Sequence, residues 1–226
     1  MNPLRLVIDP ELNRRLPGLR LLVTWVDEAH VTPTPAALRG RIELFHEHLR
    51  LTYEDAGALE RIPGVRAWRD AFRALGIDPA RYRPSGEALL RRILQRKPLG
   101  WINAAVDLNN FLSIQYGLPC GIYNRNALVG DAVLRLGRAE ERYLGLNGRE
   151  NGCAGKPVLA DAVGPFGSPI VDAERTKVTE GTHNLLHVAY LPPGFPDADI
   201  ERARDEAADL FAKVTGAAAI RQDVMA

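Results

Sequence analysis

The chain has 226 residues, 46% of them hydrophobic and 25% charged, with a formal net charge of +1. That is enough apolar content for a real core, and too little net charge for the entire surface to trap nucleic acid by charge alone. Cys120 and Cys153 are too few for a disulfide scaffold and lack zinc-ligand spacing, and no stretch has the length of a membrane span or the apolar core of a signal peptide. A cytoplasmic protein without membrane attachment is expected.

Two β-type runs come first, "LRLVI" at 4–8 and "LRLLVTWV" at 19–26, separated by a polar stretch ending in Pro17-Gly18. Thr34-Pro35 then reads as an N-cap and first-turn proline. Leu38, Ile42, Phe45 and Leu49 fall on one face of the helix that follows. Pro63-Gly64 precedes a second helix with Val65, Trp68, Phe72 and Leu75 on its apolar stripe and Arg66, Arg69 and Arg73 on another. Pro84-Ser85 starts a third, with Arg91, Arg92, Arg96 and Lys97 turned away from Leu89, Ile93 and Leu94. Next, Asp107, Asn109 and Asn110 favour an ordered turn or helix start, and Phe111, Leu112 and Tyr116 recur at helical spacing until Gly117 supplies a stop.

From Gly117 the texture changes to strands and loops: "GIYN", "AVLRL", "KPVLAD", "TKVT" and "NLLHVAYL". A last helix carries Ile200, Ala203, Ala207, Leu210 and Val214 in register, with Gly216 beyond its end. Helices precede strands instead of alternating with them, which favours an α+β fold over a doubly wound sheet. With no repeat, low-complexity tract or linker, residues 1–226 are expected to form a single domain.

Several clusters bear on chemistry. Between residues 61 and 97 the basic side chains greatly outnumber Asp70, Asp78 and Glu87. Arg66, Arg69, Arg73, Arg91 and Arg92 are the candidates for holding RNA phosphates, with Trp68 and Tyr82 available to stack on bases. A solvated helix face is the equally weighted alternative. His46 and His48, two apart on a helix, do not share a face and cannot chelate a metal together. His183 and His187, four apart on a strand, would face the same side. "GPFGS" (164–168) is a glycine loop without a P-loop lysine. For Asp172, Arg175 and Thr176 in "DAERTKVTEGT", an exposed hairpin with a surface salt bridge is an equal alternative to a site. Cys120 lacks an obvious base, so a buried thiol is expected.

The stretch "VDLNNFLSIQYGLPCGIYN" (106–124), with "AVLRLGRAEERYLGLNG" and "VLADAVGPFGS" after it, resembles the editing domain in the β subunit of bacterial phenylalanyl-tRNA synthetase. The likeness is strongest over residues 80–192. It implies β-sheets in an unusual sandwich flanked by helices. It also implies tRNA as partner, no metal or cofactor, and hydrolysis of an amino acid wrongly attached to tRNA. Such a reaction needs positioning and oxyanion donors more than a dedicated nucleophile.

The resemblance puts Asn109 and Asn110 at the family's pocket Thr and Asn, and Gly164 and Gly167 in its glycine-rich loop. Gly121 stands where the family has a pocket His, Asn124 where it has an Asp, and His187 or Val188 where it has a discriminating Glu. These departures leave two alternatives. One is a free-standing tRNA-editing factor hydrolysing some misacylated aminoacyl-tRNA, with His187 reading the substrate side chain. The other is a non-catalytic module that binds tRNA or an amino acid.

Overall fold

The computed structural model describes residues 4–53, 55 and 57–226. In chain order the first half gives β1 (Leu6–Ile8), α1 (Pro10–Arg15), β2 (Arg20–Asp27), α2 (Ala36–Thr52), α3 (Pro63–Ala74), α4 (Ser85–Leu94) and α5 (Ala104–Tyr116). The second half gives β3 (Cys120–Asn124), β4 (Ala132–Leu136), β5 (Arg142–Leu144), β6 (Glu150–Gly152), β7 (Pro157–Ala160), β8 (Pro165–Gly167), β9 (Leu185–Leu191), α6 (Asp197–Thr215) and β10 (Ala219–Met225).

The strands form two four-stranded sheets, ordered β1-β4-β7-β8 and β10-β2-β9-β3, with β5 and β6 a separate hairpin. Among the named strand pairs of the described residues, only β1–β4 is parallel. Period-two alternation sorts the second sheet into two buried faces. Leu21, Val23, Trp25, Tyr123, Leu186, Val188 and Tyr190 meet Leu6, Leu134, Leu159 and Phe166 of the first sheet in the sandwich core. Val26, Ile122 and Leu185 point the other way, under Leu38 and Ile42 of α2, Leu108 and Leu112 of α5 and Leu210 and Phe211 of α6. A strand covered on both faces needs apolar residues at every position, which is why β9 reads "LLHVAYL" without alternation. The architecture is the sandwich of mixed sheets flanked by helices that the resemblance implies.

Several elements differ from the sequence reading. α5 starts at Ala104 because Asn103 caps it, its side chain accepting from the Val106 N–H at 3.0 Å. Asp107 therefore lies in the first turn, where its buried carboxylate accepts from the Thr34 hydroxyl and from the Ile102 N–H. Thr34 is thus not the cap of α2; Pro35 occupies that position. Gly117 ends α5 in the left-handed conformation, as its place in the sequence implied.

Several elements were not anticipated: the short strands β5 and β6, β8 inside the stretch read as a glycine loop, α1 and β10. α1 is six residues capped by Asp9, and β10 pairs antiparallel along β2 from Ala219 to Met225. "TKVT" is no strand: Glu174–Thr176 forms a 3₁₀ turn whose Thr176 hydroxyl is satisfied by the Phe166 and Ala173 carbonyls.

Candidate functional site

The tight Gly117-Leu118-Pro119 turn delivers β3 to the sheet edge beside β9, with Gly121 opposite Val188 and Tyr123 opposite Leu186. Gly121 and Tyr123 therefore share the face that looks into the sandwich. Across the core, Gly167 closes β8. The phenol of Tyr123 lies between the two glycines, and a Cβ added at either one would overlap its hydroxyl. Glycine is needed at both positions because the hydroxyl takes the room of a side chain.

That hydroxyl donates to Asp172 Oδ1 at 2.7 Å and lies 3.1 Å from the hydroxyl of Tyr190. The ring of Tyr123 meets Phe166 edge-on at 4.9 Å between centroids. Burial pushes the Asp172 carboxyl up to about 7, against the opposing effect of the Tyr123 hydrogen bond and of backbone hydrogen bonds from Ser168 and Ile122. Burial, with the Asp172 charge next, raises Tyr123 and Tyr190 well above the ordinary phenol value, so both remain protonated donors.

Immediately outside, Tyr143 donates to the Val171 carbonyl at 2.7 Å and lies 3.0 Å from the Ser168 hydroxyl. Those three residues help line a cleft of about 230 Å3 with Tyr82 and Lys156. Asp172 itself does not line this cleft, but a carboxyl held near neutrality can both take and return a proton.

The six residues assigned to a pocket do not converge. Gly121 and Gly167 meet on Tyr123. Gly164 is in an open turn with φ +136, where Arg175 donates to its carbonyl at 2.8 Å and pairs with Asp161 at 2.7 Å. Asn109 is buried on α5 with its Oδ1 unpartnered, and Asn110 faces a different cleft.

His187 is displaced furthest from its expected role. It is 1% exposed, on the face of β9 opposite to Gly121, with Phe211 of α6 at 5.1 Å and no hydrogen-bond partner on either ring nitrogen. Burial alone drives it down to about 3, so it is a neutral core imidazole and not a reader of substrate in this pocket. His183 precedes β9 and places its Nδ1 3.2 Å from the Ala29 carbonyl, so the two histidines do not share a strand face. Asp172 is not the surface salt-bridge partner expected for Arg175, which pairs with Asp161 instead, and its place against Tyr123 gave no signal in the sequence. It sits in a loop without periodicity, and only the partners folded around it mark it out.

The basic helices divide in two. Glu87, 1% exposed, accepts from Arg69 at 3.0 Å and from Arg91 at 2.7 Å, and Arg69 also pairs with Glu60 at 3.2 Å. Arg69 and Arg91 are therefore committed inside the fold instead of facing phosphate. Arg66 and Arg92 are exposed, Arg92 donating to the Pro98 carbonyl at 2.6 Å, and Arg73 pairs with Asp70 on the surface. Trp68 is fully buried and donates to the Tyr190 carbonyl at 2.8 Å, so it stacks on no base. No helix among the described residues is long and apolar enough to cross a membrane.

Comparison with known proteins places this geometry in context. Residues 67–216 match the family model described as the B3/4 domain. An uncharacterized protein of Bacillus subtilis, YhzB, is 23% identical over 209 residues, covering 92% of this chain and 94% of the relative. The phenylalanine–tRNA ligase beta subunit of Novosphingobium aromaticivorans is 36% identical over 95 residues, which are 41% of this chain and 12% of that subunit. The corresponding subunit of Psychrobacter arcticus is 32% identical over 94 residues, again 12% of its length. The chain thus spans only a small part of the synthetase subunits it matches. An N-terminal fragment of the phenylalanyl-tRNA synthetase beta subunit from Pyrococcus horikoshii superposes with a TM-score of 0.50 at 13% identity, over 98% of this chain and 51% of that one.

Proposed function

Because the chain belongs to the B3/4 domain family, we propose that it acts on tRNA as an editing factor in trans, hydrolysing the ester of a misacylated aminoacyl-tRNA. The observation that carries this reading is the Asp172 carboxyl held near neutrality, 2.7 Å from the Tyr123 hydroxyl that lies between Gly121 and Gly167. In this reading water attacks the ester carbonyl and Asp172 takes its proton. The bond between the acyl carbon and the ribose oxygen then breaks, and the proton passes to that oxygen, giving free amino acid and uncharged tRNA.

A panel of misacylated tRNAs, each incubated with the protein, tests the reading directly. The expected result is hydrolysis of at least one member above buffer, lost in the Asp172→Asn variant. Hydrolysis of none would overturn it. One observation favours the alternative of a tRNA- or amino-acid-binding module without turnover: Tyr123 fills the space between Gly121 and Gly167 that a substrate side chain would need. Tight tRNA binding that weakens with salt, with every ester intact, would establish that alternative.

A further inference from the structure

A second cleft, of about 290 Å3, opens between α2, the first turns of α5 and residues 98–101. Its walls are Ile42, Phe111 and Ile114, and its lip is Trp101, which is 39% exposed while Trp25 and Trp68 are buried. The guanidinium of Arg39 covers one side of the Trp101 ring, 5.3 Å from its centroid. Glu43, His46, Asp107 and Asn110 bring polar groups to the same space, the Asp107 carboxyl being already engaged by the Thr34 hydroxyl and the Ile102 N–H.

His46 Nε2 is buried without a hydrogen-bond partner. Burial, helped by the Arg50 charge and opposed by Glu47, brings the imidazole down to about 4, so at neutral pH it offers one donor and one acceptor. The chain leading to the lip carries Arg92, Arg96 and Lys97 with no acidic residue from 88 to 101. The Arg92–Pro98 hydrogen bond ties that charge to the cleft's edge. The larger cleft elsewhere, about 600 Å3, is lined by Asp199, Asp205 and Glu206 with Arg202 beside them, a balance less favourable to a phosphodiester chain.

A planar, half-exposed aromatic, an amide and a carboxylate at the rim, and cations on one side make a site for a base on a phosphate chain. We propose that the Trp101 cleft binds an unpaired nucleobase carrying an exocyclic amine, adenine or cytosine, at the single-stranded end of an RNA. Trp101 stacks on the base, Glu43 accepts from its amine, Asn110 bonds its ring edge, and Arg92, Arg96 and Lys97 hold the flanking phosphates. That the RNA is tRNA rests on the function proposed above; the site for the base does not depend on hydrolysis.

The test is titration of the full chain with the RNA trinucleotides CCA and UUU, read by calorimetry and by quenching of Trp101 fluorescence. CCA is expected to bind with about tenfold preference over UUU, and Trp101→Ala to weaken CCA by about tenfold while Trp101→Phe retains most of the affinity. Glu43→Ala should erase the preference, because it removes the acceptor for the exocyclic amine, and Asn110→Ala should weaken CCA and UUU alike. Equal binding of CCA and UUU, or full affinity in Trp101→Ala, would overturn the proposal and leave only attraction to phosphate. The two readings fail separately. CCA binding without hydrolysis removes the editing reaction, and hydrolysis without a Trp101 effect removes the base site.

Discussion

Tyr123 shows how much of the site depends on single atoms. Its hydroxyl is held by Asp172 and Tyr190, and its ring is fully buried, so it cannot swing aside for a new side chain. Gly167→Ala should destabilise the protein by about 1–3 kcal/mol, because the added methyl must displace that ring. Tyr123→Ala should be destabilising on its own through the cavity it leaves. The two together should cost less than their sum, since the room the methyl lacks has been created. Urea unfolding of the four proteins measures this coupling, and strict additivity would mean that the glycine and the phenol do not compete for space. Gly121 and Gly167 could be picked out by motif. What stands between them could not, because the opposed positions are 46 residues apart in sequence.

Among helices and strands, amphipathic stripes were readable and charge partners were not. The apolar faces of α2, α3 and α6 follow helical spacing, and their residues are buried where that spacing puts them except Phe45 and Val214, which are half-buried. The arginine stripe of α3 has the same spacing on either reading, solvated or phosphate-binding. It turned out to include Arg69, drawn to Glu87 on α4, 18 residues away. Glu87→Gln should therefore cost about 3–5 kcal/mol by leaving Arg69 and Arg91 without their buried counter-charge, visible as a lowered urea midpoint. A loss below about 1 kcal/mol would mark the cluster as effectively solvated. β10 escaped notice for a related reason. As an edge strand with one neighbour it is half-exposed, and "AIRQDVM" carries little apolar signal.

Two titratable groups, Asp172 and His187, pull stability in opposite directions across the acid-to-neutral range. Asp172 is raised from 3.8 to about 7, so between those values the folded protein keeps a proton that the unfolded chain releases, and stability falls as pH rises. His187 is lowered from 6.5 to about 3, so in that window the unfolded chain binds a proton the folded protein refuses, and stability falls as pH drops. From about pH 4 to 6.5 the two contributions oppose each other, which hides both in the wild-type profile.

Substitution separates them. Relative to wild type, Asp172→Asn should gain stability progressively from pH 4 to 7 and no further above it, with the gain over that range about 4 kcal/mol. His187→Leu should show the converse, its advantage growing as pH falls from 6.5 to 3, because it removes an unpartnered imidazole from an apolar site. Urea midpoints across pH 3 to 8 for the three proteins would show both slopes. A flat difference for Asp172→Asn would mean that its carboxyl titrates in the ordinary range. It would then be no proton acceptor tuned to neutral pH, and the hydrolytic role proposed for it would fall with the slope.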